Sequence, residues 1–130
     1  IRLFDGTFTL ERVKQSEVAL RVEGEDGFVL EGHSSMNQIS RTPESLVAAT
    51  IGAHHQYPDG LVLYLGTMFA PVKDRDGEGK GFTHKLGDVV SISTSELGTL
   101  SNRVNLSTKC PPWTYGASHL LRDLARAELL

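Results

Sequence analysis

Glu17-Val18-Ala19-Leu20-Arg21-Val22-Glu23 sets Val18, Leu20 and Val22 on one side of an extended chain and charged or small residues on the other. That is the period-two pattern of a half-buried strand. Gly24-Glu25-Asp26-Gly27 then supplies turn chemistry, with two residues free to take positive φ, and Phe28-Val29-Leu30 resumes an apolar run. A β-hairpin is the expectation. A second is expected further on, where Leu86-Gly87-Asp88 turns into Val89-Val90-Ser91-Ile92-Ser93 and Leu97-Gly98-Thr99-Leu100 opens a partner strand running through Val104 and Leu106.

Between the hairpins, Ser34 to Arg41 is short and polar and leads into Thr42-Pro43-Glu44. Thr42 suits a helix cap and Pro43 the first helical position. Leu46, Val47, Thr50 and Ile51 follow at helical spacing, so a helix from about residue 43 to about 54 is predicted. Tyr57-Pro58-Asp59-Gly60 breaks it. Leu61-Val62-Leu63-Tyr64-Leu65 then reads as a short strand buried on both faces, ending at Gly66. Lys73 to Lys85 is charged and Gly-rich with neither periodicity nor a core face, and an exposed, mobile loop is expected. After Pro111-Pro112-Trp113, Thr114 or Ser118 is placed to cap a last helix with Leu120, Leu121, Leu124 and Ala125 as its apolar stripe. The fold class is therefore α+β and strand-rich, with two helices and no internal repeat.

The chain has 130 residues, 39% hydrophobic and 22% charged, the balance of one globular domain. No apolar run approaches a membrane span and no signal-like segment is present, which points to the cytoplasm. A net charge of -3 with scattered Lys and Arg argues against nucleic acid as a partner. The lone cysteine, Cys110, excludes an intramolecular disulfide and reads as a small semi-buried thiol. Ile1-Arg2-Leu3-Phe4 reads as the inside of a strand or a strand end, so the chain is expected to be truncated or processed.

His54 and His55 are adjacent and cannot both face one metal from an intact helix; a cationic last turn is the plainer reading. His33, in Gly32-His33-Ser34-Ser35, is a polar turn residue able to line a cleft, whereas His84 and His119 are given structural roles. Glu23-Gly24-Glu25 has the spacing of a paired-carboxylate metal site, yet it overlaps a hairpin turn, where exposed acids are common. No nucleophile elbow, Walker loop or dinucleotide fingerprint occurs. Leu65-Gly66-Thr67-Met68-Phe69-Ala70-Pro71 remains. It is either a plain strand-to-loop transition or a strand end offering backbone N–H groups and a hydroxyl to an anion, with Gly66 permitting close approach.

The order of these pieces resembles the C-terminal signature of the fumarylacetoacetate hydrolase family. The matching elements are a strand ending in Gly66-Thr67, then Leu86-Gly87-Asp88-Val89-Val90, then Gly98-Thr99-Leu100-Ser101-Asn102-Arg103-Val104. The likeness spans about Ile1 to Leu106. Met68 stands where the family has Pro, and the 73–85 insert, the Pro-Pro-Trp segment and the last helix are departures. With Gly32 to Met36 and Ile39-Ser40-Arg41, they resemble a sub-branch acting in sugar-acid breakdown, 2-keto-3-deoxy acid dehydration in particular.

The resemblance implies the C-terminal part of a mixed β-sheet roll and a hydrolase or lyase acting on 2-oxo acids as a homodimer. It also implies Mg2+ (or Mn2+ or Ca2+) held by a Glu-x-Glu pair and an Asp that lie before this segment. Glu23 and Glu25 fall too close to the Gly-Thr loop to inherit that role. By the resemblance, Gly66, Thr67 and Met68 bind substrate, Thr67 orienting a carboxylate or oxo group. No metal ligand falls in this chain, its catalytic residues stay unassigned, and the fragment alone is expected to be inactive. The alternative is a non-catalytic strand-rich binding or assembly module.

Overall fold

The period-two alternation of Glu17–Glu23 becomes β1, and Val29–Ser35 becomes β2, paired antiparallel from Glu17 opposite Ser35 to Glu23 opposite Val29. Gly27 supplies the turn with φ +79, in the left-handed region that costs glycine nothing. The second hairpin forms as well: β3 is Val89–Thr94 and β4 is Gly98–Arg103, with Ile92 opposite Leu100. β1 also pairs antiparallel with β3, Leu20 opposite Ile92 and Val22 opposite Val90, which joins the hairpins into one sheet of order β2-β1-β3-β4. The computed structural model describes residues 2–66 and 69–130.

Residues opposite one another share a face. One face therefore carries Val18, Leu20, Val22, Leu30, Val90, Ile92 and Leu100, and the other carries Glu17, Arg21, Glu31, His33, Ser91, Ser93 and Ser101. The centre of the apolar face is closed: Val22 is fully buried and Leu30 nearly so, joined in the core by Phe8 and Met36. Burying such a side chain contributes about 1.5–3 kcal/mol. Towards β4 the same face opens, and Ile92 and Leu100 are exposed.

Among the described residues three α-helices accompany the sheet, one more than the sequence led us to expect. Leu10–Lys14 (α1) is a single turn capped by the Thr9 hydroxyl, and its Lys14 pairs with Glu11 at 2.7 Å and with Glu44. Glu44 lies in the first turn of α2, Pro43–Thr50, whose Ser45 N–H donates to the Thr42 hydroxyl at 3.2 Å. Cap and proline sit where expected. α2 nevertheless ends at Thr50, so His54 and His55 lie beyond it and are not a cationic last turn. α3, Ala117–Arg126, is capped at neither Thr114 nor Ser118: Gly116 is the cap, and its N–H donates to His119 Nδ1 at 3.2 Å.

Four further expectations are corrected. Leu61–Leu65 is not a strand; Val62 and Tyr64 are exposed and the run joins no ladder. A strand buried on both faces needs cover on both, and this sheet is antiparallel with one polar face. Arg2 to Phe4 is likewise not extended into a strand. Asp5 Oδ1 accepts from the N–H groups of Thr7 and Phe8, folding the chain back so that Phe4 stacks on Phe8 with centroids 5.6 Å apart. β4 stops at Arg103 instead of running to Leu106: the Val104 N–H still donates to the Asp88 carbonyl, but the Asp88 N–H turns to the Lys85 carbonyl, and Asn105 Oδ1 takes the Leu106 N–H. Cys110 is exposed, not semi-buried. No helix among the described residues is long and apolar enough to cross a membrane.

Candidate functional site

The register of the first hairpin sets Glu17 directly opposite Ser35 on the polar face, with His33 two residues before Ser35 in β2 on the same face. The three side chains meet. Ser35 Oγ donates to Glu17 Oε1 at 2.5 Å, and His33 Nε2 lies 2.9 Å from Glu17 Oε2. Both oxygens of Glu17 thereby have a neighbour, one the imidazole Nε2 and the other a donating hydroxyl that is itself nearly buried. His33 is part of β2, not of a turn after it.

His33, Ser34 and Ser35 form one wall of a concavity of about 470 Å3. Gln38, Ile39 and Ser40, from the turn after β2, form the second. The third comes from Leu65, Phe69 and Ala70. The lining is rich in hydroxyl, amide and imidazole groups, a set that orients a small polar ligand by hydrogen bonds while the apolar wall limits its shape.

Gly32 explains how the third wall is held. A Cβ at this position would lie 2.6 Å from Cδ1 and Cζ of Phe69 and closer still to Cε1, so the ring occupies the space a side chain would fill. Further along, Lys73 Nζ donates to the Val29 carbonyl at 2.5 Å and sits 5.1 Å from the centre of the Phe28 ring. The segment from Phe69 to Lys73 is thus pinned against β2 at two points. Gly66 has φ +85 with open space around its Cβ position, so its backbone conformation by itself selects glycine. Thr67 and Met68, the other two residues expected to bind substrate, lie outside the described residues.

The charged stretch from residue 73 to 85 does have a core-facing residue. Arg75 is buried and forms a two-pronged ion pair with the equally buried Asp88, NH1 to Oδ2 at 2.6 Å and NH2 to Oδ1 at 2.9 Å. Its NH2 also reaches Asp26 at 2.9 Å, and its guanidinium lies 4.6 Å from the Phe28 ring centre. Lys85 adds bonds to Asp26 and Asp76. The cluster therefore ties the loop to the first hairpin turn and to the start of β3. Gly24 lies beneath it, and a Cβ there would collide with Arg75 and Asp26, so this glycine serves close approach and not positive φ. The Arg75 guanidinium holds the Asp88 carboxyl down at about 2, and Arg75 and Lys85 together hold Asp26 well below the usual carboxylate range. Every charge in the cluster is matched, which is the condition for burying an ion pair without penalty from a lone partner.

The remaining candidates have structural partners. His84 Nδ1 is 3.6 Å from Asp88 and packs edge-on against Phe82, while His119 caps α3 and lies beside Tyr115. Glu23 pairs with Arg21 at 3.0 Å and Glu25 lies 3.7 Å from Arg103. No group of three or more His, Cys, Asp or Glu side chains suited to a metal ion occurs among the described residues.

No protein-family model, no curated protein and no solved structure matches this chain.

Proposed function

We propose that the chain is the substrate-loop part of a fumarylacetoacetate hydrolase-type enzyme, a hydrolase or lyase acting on 2-oxo acids, sugar-derived 2-keto-3-deoxy acids among them. In this reading the antiparallel sheet is the C-terminal portion of a larger mixed-sheet roll, the enzyme is a cytoplasmic homodimer, and Gly66, Thr67 and Met68 border the substrate. The observation that carries it is the concavity: Leu65, Phe69 and Ala70, the residues flanking that loop, line it together with His33 to Ser35 and Gln38 to Ser40. A loop end converging with hydroxyls, an amide and an imidazole suits a small oxygen-rich acid.

The described residues do not fit Mg2+ on their own, since Glu23 and Glu25 are paired with arginines and no third acidic or imidazole group joins them. In this reading the metal ligands belong to residues outside the chain. What this chain supplies is positioning: a fixed wall on β2 and a loop pinned to it.

Calorimetric titration of the full-length protein with oxalate in the presence of Mg2+, repeated on Thr67→Val, tests the proposal. Weakening of about tenfold or more is expected for the loss of a hydrogen bond to a charged group, about 1.5–3 kcal/mol. Unchanged affinity in the variant removes the substrate loop from the site.

A further inference from the structure

All five N–H donors of the buried Arg75 guanidinium are used. Nε and NH2 donate to the two oxygens of Asp26, at 3.3 and 2.9 Å. NH1 and NH2 donate to the two oxygens of Asp88, and the second NH1 donor goes to the Thr83 carbonyl at 3.3 Å. These partners come from the turn of the first hairpin, the far end of the charged loop and the residue before β3. The guanidinium also lies against the Phe28 ring, on which Phe82 stacks with centroids 5.9 Å apart. A lysine, with three donors on one nitrogen and no planar fork, has no way to make this set of bonds.

Stability alone does not account for such a seat, because apolar side chains of similar volume often replace a buried ion pair without loss. What the fork adds is a fixed position for the backbone that carries it. Two residues earlier, Lys73 Nζ is bonded to the Val29 carbonyl, and before it Phe69 fills the space over Gly32. Leu65, Phe69 and Ala70 are the third wall of the concavity, and Arg75 itself does not line it. The chain from Ala70 to Arg75 reaches at most about 18 Å, a tether short enough for the anchor to govern the wall.

We propose that Arg75 is a positioning residue for the oxo-acid site. By locking the charged loop to the first hairpin and to the start of β3, it sets where Phe69 and Ala70 stand opposite His33 to Ser35, and so how closely the concavity fits its ligand. This rests on the substrate-site reading above. Arg75 acts through the wall and not by touching the ligand.

The probe is oxalate with Mg2+, titrated calorimetrically into the full-length protein. Arg75→Met should weaken binding about 3- to 30-fold, the range of coupling carried through packed side chains, with circular dichroism matching the parent at the titration temperature. Arg75→Lys keeps the charge that buried Asp88 needs and loses the fork. It serves where Arg75→Met does not fold, and should weaken binding about threefold or more. The effect should vanish once the wall is removed: in a Phe69→Ala background either substitution should change oxalate affinity less than about twofold. A merely structural role would not depend on Phe69. Unchanged affinity in a folded Arg75 variant overturns the proposal, as does equal weakening with and without Phe69. A parent protein that does not bind oxalate overturns the substrate-site reading, and this proposal with it.

Discussion

Replacing Gly32 by alanine should reveal whether Phe69 is held against β2 as described. The new methyl group would lie 2.6 Å or less from three ring carbons, where ordinary carbon contacts begin near ~3.5 Å. The ring must therefore retreat by about 1 Å. Overpacking of this kind costs about 1–3 kcal/mol. Against it stands a gain of ~0.4–1 kcal/mol, because alanine restricts the unfolded chain and Gly32 does not need a positive φ. A net loss of about 1–2 kcal/mol is expected. With a urea dependence of ~2 kcal/mol per molar, the denaturation midpoint should fall by about 0.5–1 M.

The decisive comparison is a double-mutant cycle. In a Phe69→Ala background the obstacle is gone, and Gly32→Ala should become neutral or slightly stabilising, giving a coupling of about 1–3 kcal/mol. A coupling below ~0.5 kcal/mol is indistinguishable from independent sites and would refute the placement of the ring.

Arg75→Met should free the charged loop from the hairpin while leaving the sheet intact, read as faster tryptic cleavage after Lys80 and Lys85; cleavage as slow as in the parent would show that the ion-pair cluster does not restrain the loop. For Asp88, the carboxyl lies at about 2 in the fold, below the ordinary value of 3.8, because Arg75 stabilises the anion. Its contribution is therefore fully present above pH 3.8 and is lost as the pH falls towards about 2. Acid titration should accordingly show a transition in that window that Asp88→Asn reduces, and an unaltered profile would argue against the pair. Thr42→Ala removes the hydroxyl that accepts from Ser45 and should lower stability by about 1 kcal/mol, measured by urea denaturation. An unchanged midpoint would mean that α2 is uncoupled from the rest of the fold.

Local pattern was enough where partner and period lay close together in the chain. Alternation from Val18 to Val22, followed by Gly24 to Gly27, specifies the first hairpin, and counting back from its turn already sets Glu17 opposite Ser35. The His33, Glu17 and Ser35 cluster was therefore legible in register, although His33 alone read as a turn residue. Thr42 and Pro43 marked the start of α2 because both act within one turn of backbone.

What the pattern lacked was the identity of distant partners. Leu61 to Leu65 is apolar enough for a buried strand, but composition expresses a preference for burial and does not supply a neighbour to pair with. Arg75 sat in a stretch without periodicity, and its counter-ions Asp88 and Asp26 are separated from it by 13 and 49 positions. The one hint was Gly24, whose missing side chain makes room for the guanidinium. Single-turn α1 is too short to produce a periodic signal.

The central claim is that a small oxo acid binds where the loop around Gly66 meets the end of β2. Amide chemical-shift mapping of the isotopically labelled full-length protein with oxalate and Mg2+ tests it most directly. Shifts are expected to concentrate at His33 to Ser35, Gln38 to Ser40, and Leu65, Phe69 and Ala70. Shifts confined to another surface, such as the shallow cleft of Trp113, Tyr115 and His119, or no shifts at saturating oxalate, would contradict it.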